Sequence, residues 1–584
     1  MRTLWRNTVC GWQRITRGKR LDVLFLIIAL RRWVFFIVSL VSYLSCAEKT
    51  PVAVYDLPHD MAARVDSIMI QVHNAFDGSR VNWDFEESLF KLGNRLHVNT
   101  RDKIIKKHLL FAEGDQVTRE ILIESEMNLR RKNFLADAII EVEERSGQGI
   151  VIHVTVFDQW STTPGTGLKR VGNQVTYWAG LSEKNLLGTG QSISISFHKE
   201  LRTKGATFYY LNPGARTGDL YFSTYYTKND DGFSFGSALS KPILSKTQKH
   251  SFFASYRVSS SSMWHYYDGN LIDGANSTAF DIGETNLLAE FKDVSKRTTT
   301  LGLTQSNGHL TKITVSLFTR FHEQSHQGNS LSNDTTLMEE LTIRKRDDIL
   351  AGFSVSLNQK TYTRTRNLTN LKWTEDFDKV KNVSFTLGKN FQGLGANNND
   401  YMVGFKANYT DIFRTRHFLS AQTSLNYFLS REGEKQDGRF EANLRYRTKL
   451  RSNVNGLVFT YWKNNIGRLP TDQLLLGESN GLNGYPNFYF ADQNLFLLNT
   501  ELILIPDLEF LTVIPAMAVF ASAGNTFSDP GKFELNDLHS AVGIGLRLGL
   551  SRSAEKSVSH VNLTWPLDPL MKGPIFSIQS RKNI

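Results

Sequence analysis

From residue 165 onward the chain alternates apolar and polar positions. In residues 192–197, Ile193, Ile195 and Phe197 alternate with Ser192, Ser194 and Ser196. In residues 401–409, Tyr401, Val403, Phe405, Ala407 and Tyr409 alternate with Met402, Gly404, Lys406 and Asn408. Residues 439–450 set Phe440, Ala442, Leu444, Tyr446 and Leu450 against Arg439, Glu441, Asn443, Arg445, Arg447 and Lys449; residues 542–550 set Val542, Ile544, Leu546, Leu548 and Leu550 against Gly543, Gly545, Arg547 and Gly549. A period of two is a strand with one apolar and one polar face. A soluble β-sandwich alternates too, but three features favour a membrane wall. Residues 440–450 are long enough for a tilted spanning strand. The polar face is densely charged, as in a water-filled lumen, and Tyr401 and Tyr409 stand at strand ends, as interfacial girdles do. Strands cross a bilayer only as a closed barrel, because every backbone polar group needs a partner. The prediction is a mostly β fold: a transmembrane antiparallel β-barrel of about sixteen strands over residues 165–584, with polar inserts at 328–336 and 393–400 as loops.

Residues 91–160 follow another pattern. Residues 95–99 read as a short strand. Thr100 then caps a helix carrying Ile104, Ile105, His108, Leu109 and Phe111, and Glu113-Gly114-Asp115 turns the chain. Thr118 caps a second helix through Ile121, Leu122, Ser125 and Leu129, with Glu120 favourably placed in its first turn. Strands follow at 134–143 and 150–158, joined at Gly147-Gln148-Gly149. In the second, Ile150, Ile152, Val154 and Val156 share a face opposite His153 and Thr155. The order is β-α-α-β-β, a small α/β domain. Residues 48–90 read as a connector. Within them, residues 59–76 read as a short amphipathic helix with Met61, Val65, Ile68 and Val72 at helical spacing.

The mean hydropathy of −0.29 excludes a polytopic helical membrane protein, and 41 % hydrophobic residues argue against disorder. The formal net charge is +11, but Arg2, Arg6, Arg14, Arg17, Lys19, Arg20, Arg31 and Arg32 against Asp22 place +7 of it in residues 1–47. A nucleic-acid binder carries its basic footprint on the folded body, so no nucleic-acid partner is expected. The apolar run at 33–44, followed by Ser45-Cys46-Ala47, reads as a signal peptide with a cut after Ala47. Both cysteines, Cys10 and Cys46, fall in this leader, so the exported chain is expected to hold no disulfide.

No acid/base pair, Gly-rich phosphate loop or Cys/His metal spacing is present, and His153, His198, His265 and His560 stand alone. The reading is of a protein that is not an enzyme and uses no cofactor or metal.

Two motifs bear on family. Residues 175–190 end in Asn185-Leu186-Leu187-Gly188-Thr189-Gly190, where Gly188 and Gly190 permit a tight turn. Residues 477–485 contain Gly481-Leu482-Asn483-Gly484-Tyr485, with Glu501 on a strand just beyond. Five strands follow, near 494–505, 512–522, 540–551, 558–566 and 575–580. The first motif resembles the opening hairpin of the BamA/TamA-like outer-membrane barrels (the bacterial surface antigen superfamily). The second resembles their lumenal loop, and residues 109–142 resemble the periplasmic POTRA module. In that family an arginine at the loop tip meets acids on the inner wall. Here Asn483 replaces it, so an Asn483–Glu501 hydrogen bond is expected in place of an ion pair.

The resemblance implies an assembly or translocation factor in the outer membrane of a Gram-negative bacterium, its POTRA-like domain in the periplasm. Its partners would be the lipid bilayer, unfolded outer-membrane or secreted client proteins, and a periplasmic partner at the POTRA-like domain. Client strands would pair at an openable seam between the first and last strands. Two alternatives are a two-partner secretion pore for one dedicated substrate and a passive porin or structural barrel.

Overall fold

The computed structural model describes residues 62–582 apart from 77–83, 146–148, 172–173, 215–218, 246–247, 267–286, 309–310, 327–329, 333–344, 367–373, 431–436, 468–471, 511–512, 551–556, 569–570 and 572. The leader, the cut after Ala47, both cysteines and the Gly147-Gln148 turn lie outside the described residues. No helix among the described residues is long and apolar enough to cross a membrane.

The N-terminal domain comprises β1 (Ala62–His73), α1 (Asp84–Leu96), α2 (Asp102–His108), β2 (Gln116–Thr118), α3 (Arg119–Arg130), β3 (Leu135–Arg145) and β4 (Gly149–Asp158). The sheet order is β2-β1-β4-β3, with β1 parallel to β4. Val65, Ile68, Ile140, Ile152 and Val154 on the sheet pack against Ile105, Leu109, Leu122 and Leu129. Each such side chain contributes about 1.5–3 kcal/mol on burial.

Four sequence expectations fail in this domain. The expected helix at 59–76 is instead strand β1, inside the segment read as connector. A register shift between Val65 and Ser67 lets Val65 and Ile68, three apart, face the same core. A β-bulge adds one residue to a strand and so imitates helical spacing. The expected strand at 95–99 is not formed: α1 runs to Leu96, supported by a Glu87–Lys91 ion pair of 2.6 Å and by the Asn94 amide donating to the Phe76 carbonyl at 2.8 Å. Thr100 caps no helix; Arg101 is the cap residue of α2. The Thr100 backbone N–H donates to the buried Asp158 carboxylate at 2.6 Å. Thr118 does precede α3, but its side chain makes no capping bond.

The rest of the described chain is one closed antiparallel barrel of twenty long strands, from Thr162–Val171 to Ile575–Lys582. A three-residue strand, Ser330–Ser332, pairs onto Leu287–Asn307, inside the insert expected at 328–336 to be loop. The barrel therefore exceeds the expected sixteen. The missed strands lack contrast between their faces. In Tyr221–Asn229, Tyr225 points inward, its ring filling the space a Cβ on Gly236 would take, while Tyr226 stands exposed outside. Where contrast is strong, as in His539–Leu550, prediction and structure agree. There Val542, Ile544 and Leu546 are exposed outside, and Ala541 and Arg547 are buried inside.

The outer face is apolar around the ring. Leu303, Leu317, Phe385 and Val519 are each about 60 % exposed. A continuous apolar band of this kind is stable against lipid and not against water.

Candidate functional site: the inner loop, the docked hairpin and the seam

The connection between strands Val454–Ile466 and Asn494–Leu504 folds into the barrel. Leu474–Leu476 pairs antiparallel with Phe490–Asp492 and forms a stem. Beyond it, Gly481 and Gly484 take left-handed backbone conformations, with φ of 109° and 86°, which side chains disfavour. Leu482 and Tyr485 are fully buried and pack with Leu476, Phe490 and Leu497. The Gly484 backbone lies against Ala541 and Thr564 of the wall, where a Cβ would crowd both. The Tyr485 hydroxyl donates to the Ser540 carbonyl at 2.9 Å. The loop therefore folds inward with Leu482-Asn483-Gly484-Tyr485 at its tip.

The expected Asn483–Glu501 bond is absent. The Asn483 amide donates to Ser522 Oγ at 2.8 Å. Glu501 accepts from Arg547 Nε at 2.6 Å, and Arg547 Nη1 donates to Asn562 Oδ1 at 2.7 Å. A wall arginine has taken the wall carboxylate. Gly543 and Gly545 make room for this: side chains there would collide with the Phe520 ring, over which the Arg547 guanidinium lies, and with Asn562 and Arg547.

Sequence reasoning also missed Glu478. It is 1 % exposed; its Oε2 accepts from the Gly484 N–H at 2.7 Å, and its Oε1 from Gln579 Nε2 at 3.1 Å. Glu478 thus joins the loop tip to the last strand. At the other end of the loop, Gln473 makes two bonds to the Tyr266 backbone, of 2.9 and 2.7 Å, and Phe488 packs on the Tyr266 ring. Tyr266 and Ala541 lie on opposite sides of the ring of strands, so the loop spans the lumen.

Asn185, Gly188 and Gly190 do more than turn the first hairpin. Asn185 Oδ1 accepts from the Gly190 N–H at 2.8 Å, and its amide donates to Thr100 Oγ1 at 2.8 Å. The Arg101 N–H donates to the Gly188 carbonyl at 3.1 Å. Gly188 and Gly190 both have positive φ, and a Cβ on either would strike Asn99 or the Phe134 ring. The motif is the joint between the α/β domain and the barrel.

The ring closes weakly. Among the described residues, the first strand, Thr162–Val171, and the last, Ile575–Lys582, are in register at Leu168–Ile578 and Lys169–Ser577 alone, whereas the first strand pairs with its other neighbour along its full length. Pro164 sits on the unpaired stretch and has no N–H to offer.

No family model and no curated protein matches the sequence. Among solved structures, the fold is similar to that of BamA from Haemophilus ducreyi lacking POTRA domains 1-3: 11 % identity, 88 % of this chain and 84 % of that one, TM-score 0.35. It is also similar to CdiB from Escherichia coli, with 12 % identity over 88 % and 76 % of the two chains and TM-score 0.44. A third likeness is to the outer membrane protein OprD from Pseudomonas aeruginosa, with 9 % identity over 72 % and 94 % and TM-score 0.28.

Proposed function

We propose that this chain is an outer-membrane barrel of the BamA/TamA type, inserting or translocating client proteins through its seam, with the α/β domain on the periplasmic side. The observation that carries this reading is the closure: among the described residues the first strand and the last are in register at two pairs, Leu168–Ile578 and Lys169–Ser577. A strand edge that is barely paired offers unsatisfied N–H and C=O groups to an incoming strand. Opening it costs a few net hydrogen bonds of about 0.5–1.5 kcal/mol each. No nucleotide is needed, since the client's own folding supplies the free energy. The loop counts against a passive porin, because it crosses the lumen from Tyr266 to Ala541 and ties to the last strand through Glu478 and Gln579.

The test is a seam lock. Leu168→Cys with Ile578→Cys places two thiols on directly paired residues, and Leu546→Cys with Val561→Cys does the same elsewhere in the wall. Assembly of an unfolded barrel client into liposomes holding each protein is then measured. The oxidised seam pair should lose activity and regain it with reductant, while the control pair keeps it. Full activity of the locked seam would refute the reading.

A further inference from the structure

A cavity of about 540 Å³ lies where the α/β domain meets the barrel mouth, lined by Lys132, Tyr221, Lys312, Asn358, Lys360 and Tyr362 among others. Its cations differ in their pairing. Arg131 and Lys360 share one acid, Asp378. Lys312 is held by the carbonyls of Ser245 and Gln248 at 3.0 Å, and Glu124 acts on it through space. Lys132 has no acid. It is 5 % exposed, and its Nζ donates to the Tyr221 hydroxyl at 2.9 Å. The charge acting on it is that of Arg131, of the same sign. A buried charge without a counter-charge costs several kcal/mol unless something pairs with it.

We propose that this cavity is a binding site for a carboxylate or phosphate group carried by a water-borne molecule, received by the Lys132 ammonium and the Tyr221 hydroxyl. An ammonium carries three N–H donors, so two remain on Lys132 beyond the bond to Tyr221. Tyr221 accepts from Lys132 and keeps its own O–H to donate. The wall residues of the cavity, Tyr221, Lys312, Asn358, Lys360 and Tyr362, project from the inner face of their strands, as register and pairing require. The route in is therefore the aqueous mouth, not the lipid. Phe134, Leu211 and Ile243 line the rest, leaving room for an apolar body behind the anionic group.

The test uses the full chain in detergent at constant ionic strength. Sodium phosphate and sodium succinate are titrated separately, and a saturable rise in melting temperature gives each affinity. At least one anion should bind saturably, and the ratio of the two affinities distinguishes a phosphate from a carboxylate source. Lys132→Met should weaken that binding at least tenfold, Tyr221→Phe severalfold, and Lys132→Arg should retain most of it. Lys532→Met, far along the chain on an exposed turn, should change nothing. The proposal fails if neither anion saturates, if Lys132→Met binds as wild type, or if short-chain phosphatidylglycerol binds where glycerol phosphate does not.

Discussion

Arg547 Nε reaches Glu501 Oε1 at 2.6 Å across an intervening strand, and both side chains are less than a tenth exposed. The pair explains why Asn483 bonds Ser522 and does not meet Glu501. The wall carboxylate is already neutralised from within the wall. Removing one partner strands the other. Arg547→Met should therefore destabilise the barrel by about 3–5 kcal/mol, whereas replacing both, with Glu501→Met added, should recover most of the loss. The shift from folded to unfolded mobility on heating in detergent, compared across the double-mutant cycle, checks this.

Placing an arginine at the loop tip should not tighten the loop. Asn483→Arg would give up the bond to Ser522 and bring a second guanidinium towards a carboxylate that Arg547 already holds. Like charges close together at this buried site repel. The variant should unfold at a lower temperature than wild type and regain stability when Arg547→Met frees Glu501. Tightening by Asn483→Arg alone would show that Glu501 is available after all.

These residues also mark where the sequence was legible. His539–Leu550 was placed within a residue or so, because Gly543, Gly545, Arg547 and Gly549 line one face and Val542, Ile544, Leu546, Leu548 and Leu550 the other. Tyr221–Asn229 put aromatic rings on both faces, and its periodicity vanished. The bulge after Val65 turned a strand into apparent helical spacing. The inward fold of Leu482-Asn483-Gly484-Tyr485 was expected from the family resemblance and not from the residues' own pattern. The partner of Glu501 was not legible, because Arg439, Arg445, Arg447 and Arg547 all lie on inward faces, and only the register of three strands selects among them. Asn185, Gly188 and Gly190 were found as a turn, but their contact with Thr100 and Arg101 joins segments 85 residues apart.

The joint can be broken without touching the barrel wall. Gly188→Val places a branched side chain where φ is +73° and the Asn99 carbonyl already sits. β-Branched residues at such φ are strained. The α/β domain should detach from the mouth and be released by trypsin at a concentration that leaves wild type intact. The barrel itself should keep its heat-modifiable mobility. If the variant resists trypsin like wild type, the hairpin does not hold the domain.

Docking should also depend on pH through Lys132. Burial lowers its pKa from the ordinary 10.5 to about 8, with Arg131 adding to the effect. Tyr221, Lys312, Lys360, Tyr362 and the acids Glu124 and Asp378 complete the charged and titratable surroundings named above, and none of the acids contacts the ammonium. The undocked lysine binds its proton up to 10.5, the docked one only up to about 8. Between those values the undocked state holds more protons, so docking strengthens as pH rises and is flat below about 8. A shift of this size is worth of order 3 kcal/mol. Trypsin release of the domain should accordingly slow from pH 8 to pH 10, relative to cleavage of an unstructured reference peptide in the same tube. Lys132→Met removes the titrating group: it should dock more firmly at pH 7 and lose the pH dependence over that window. An unchanged slope in Lys132→Met would assign the effect to another group at the mouth.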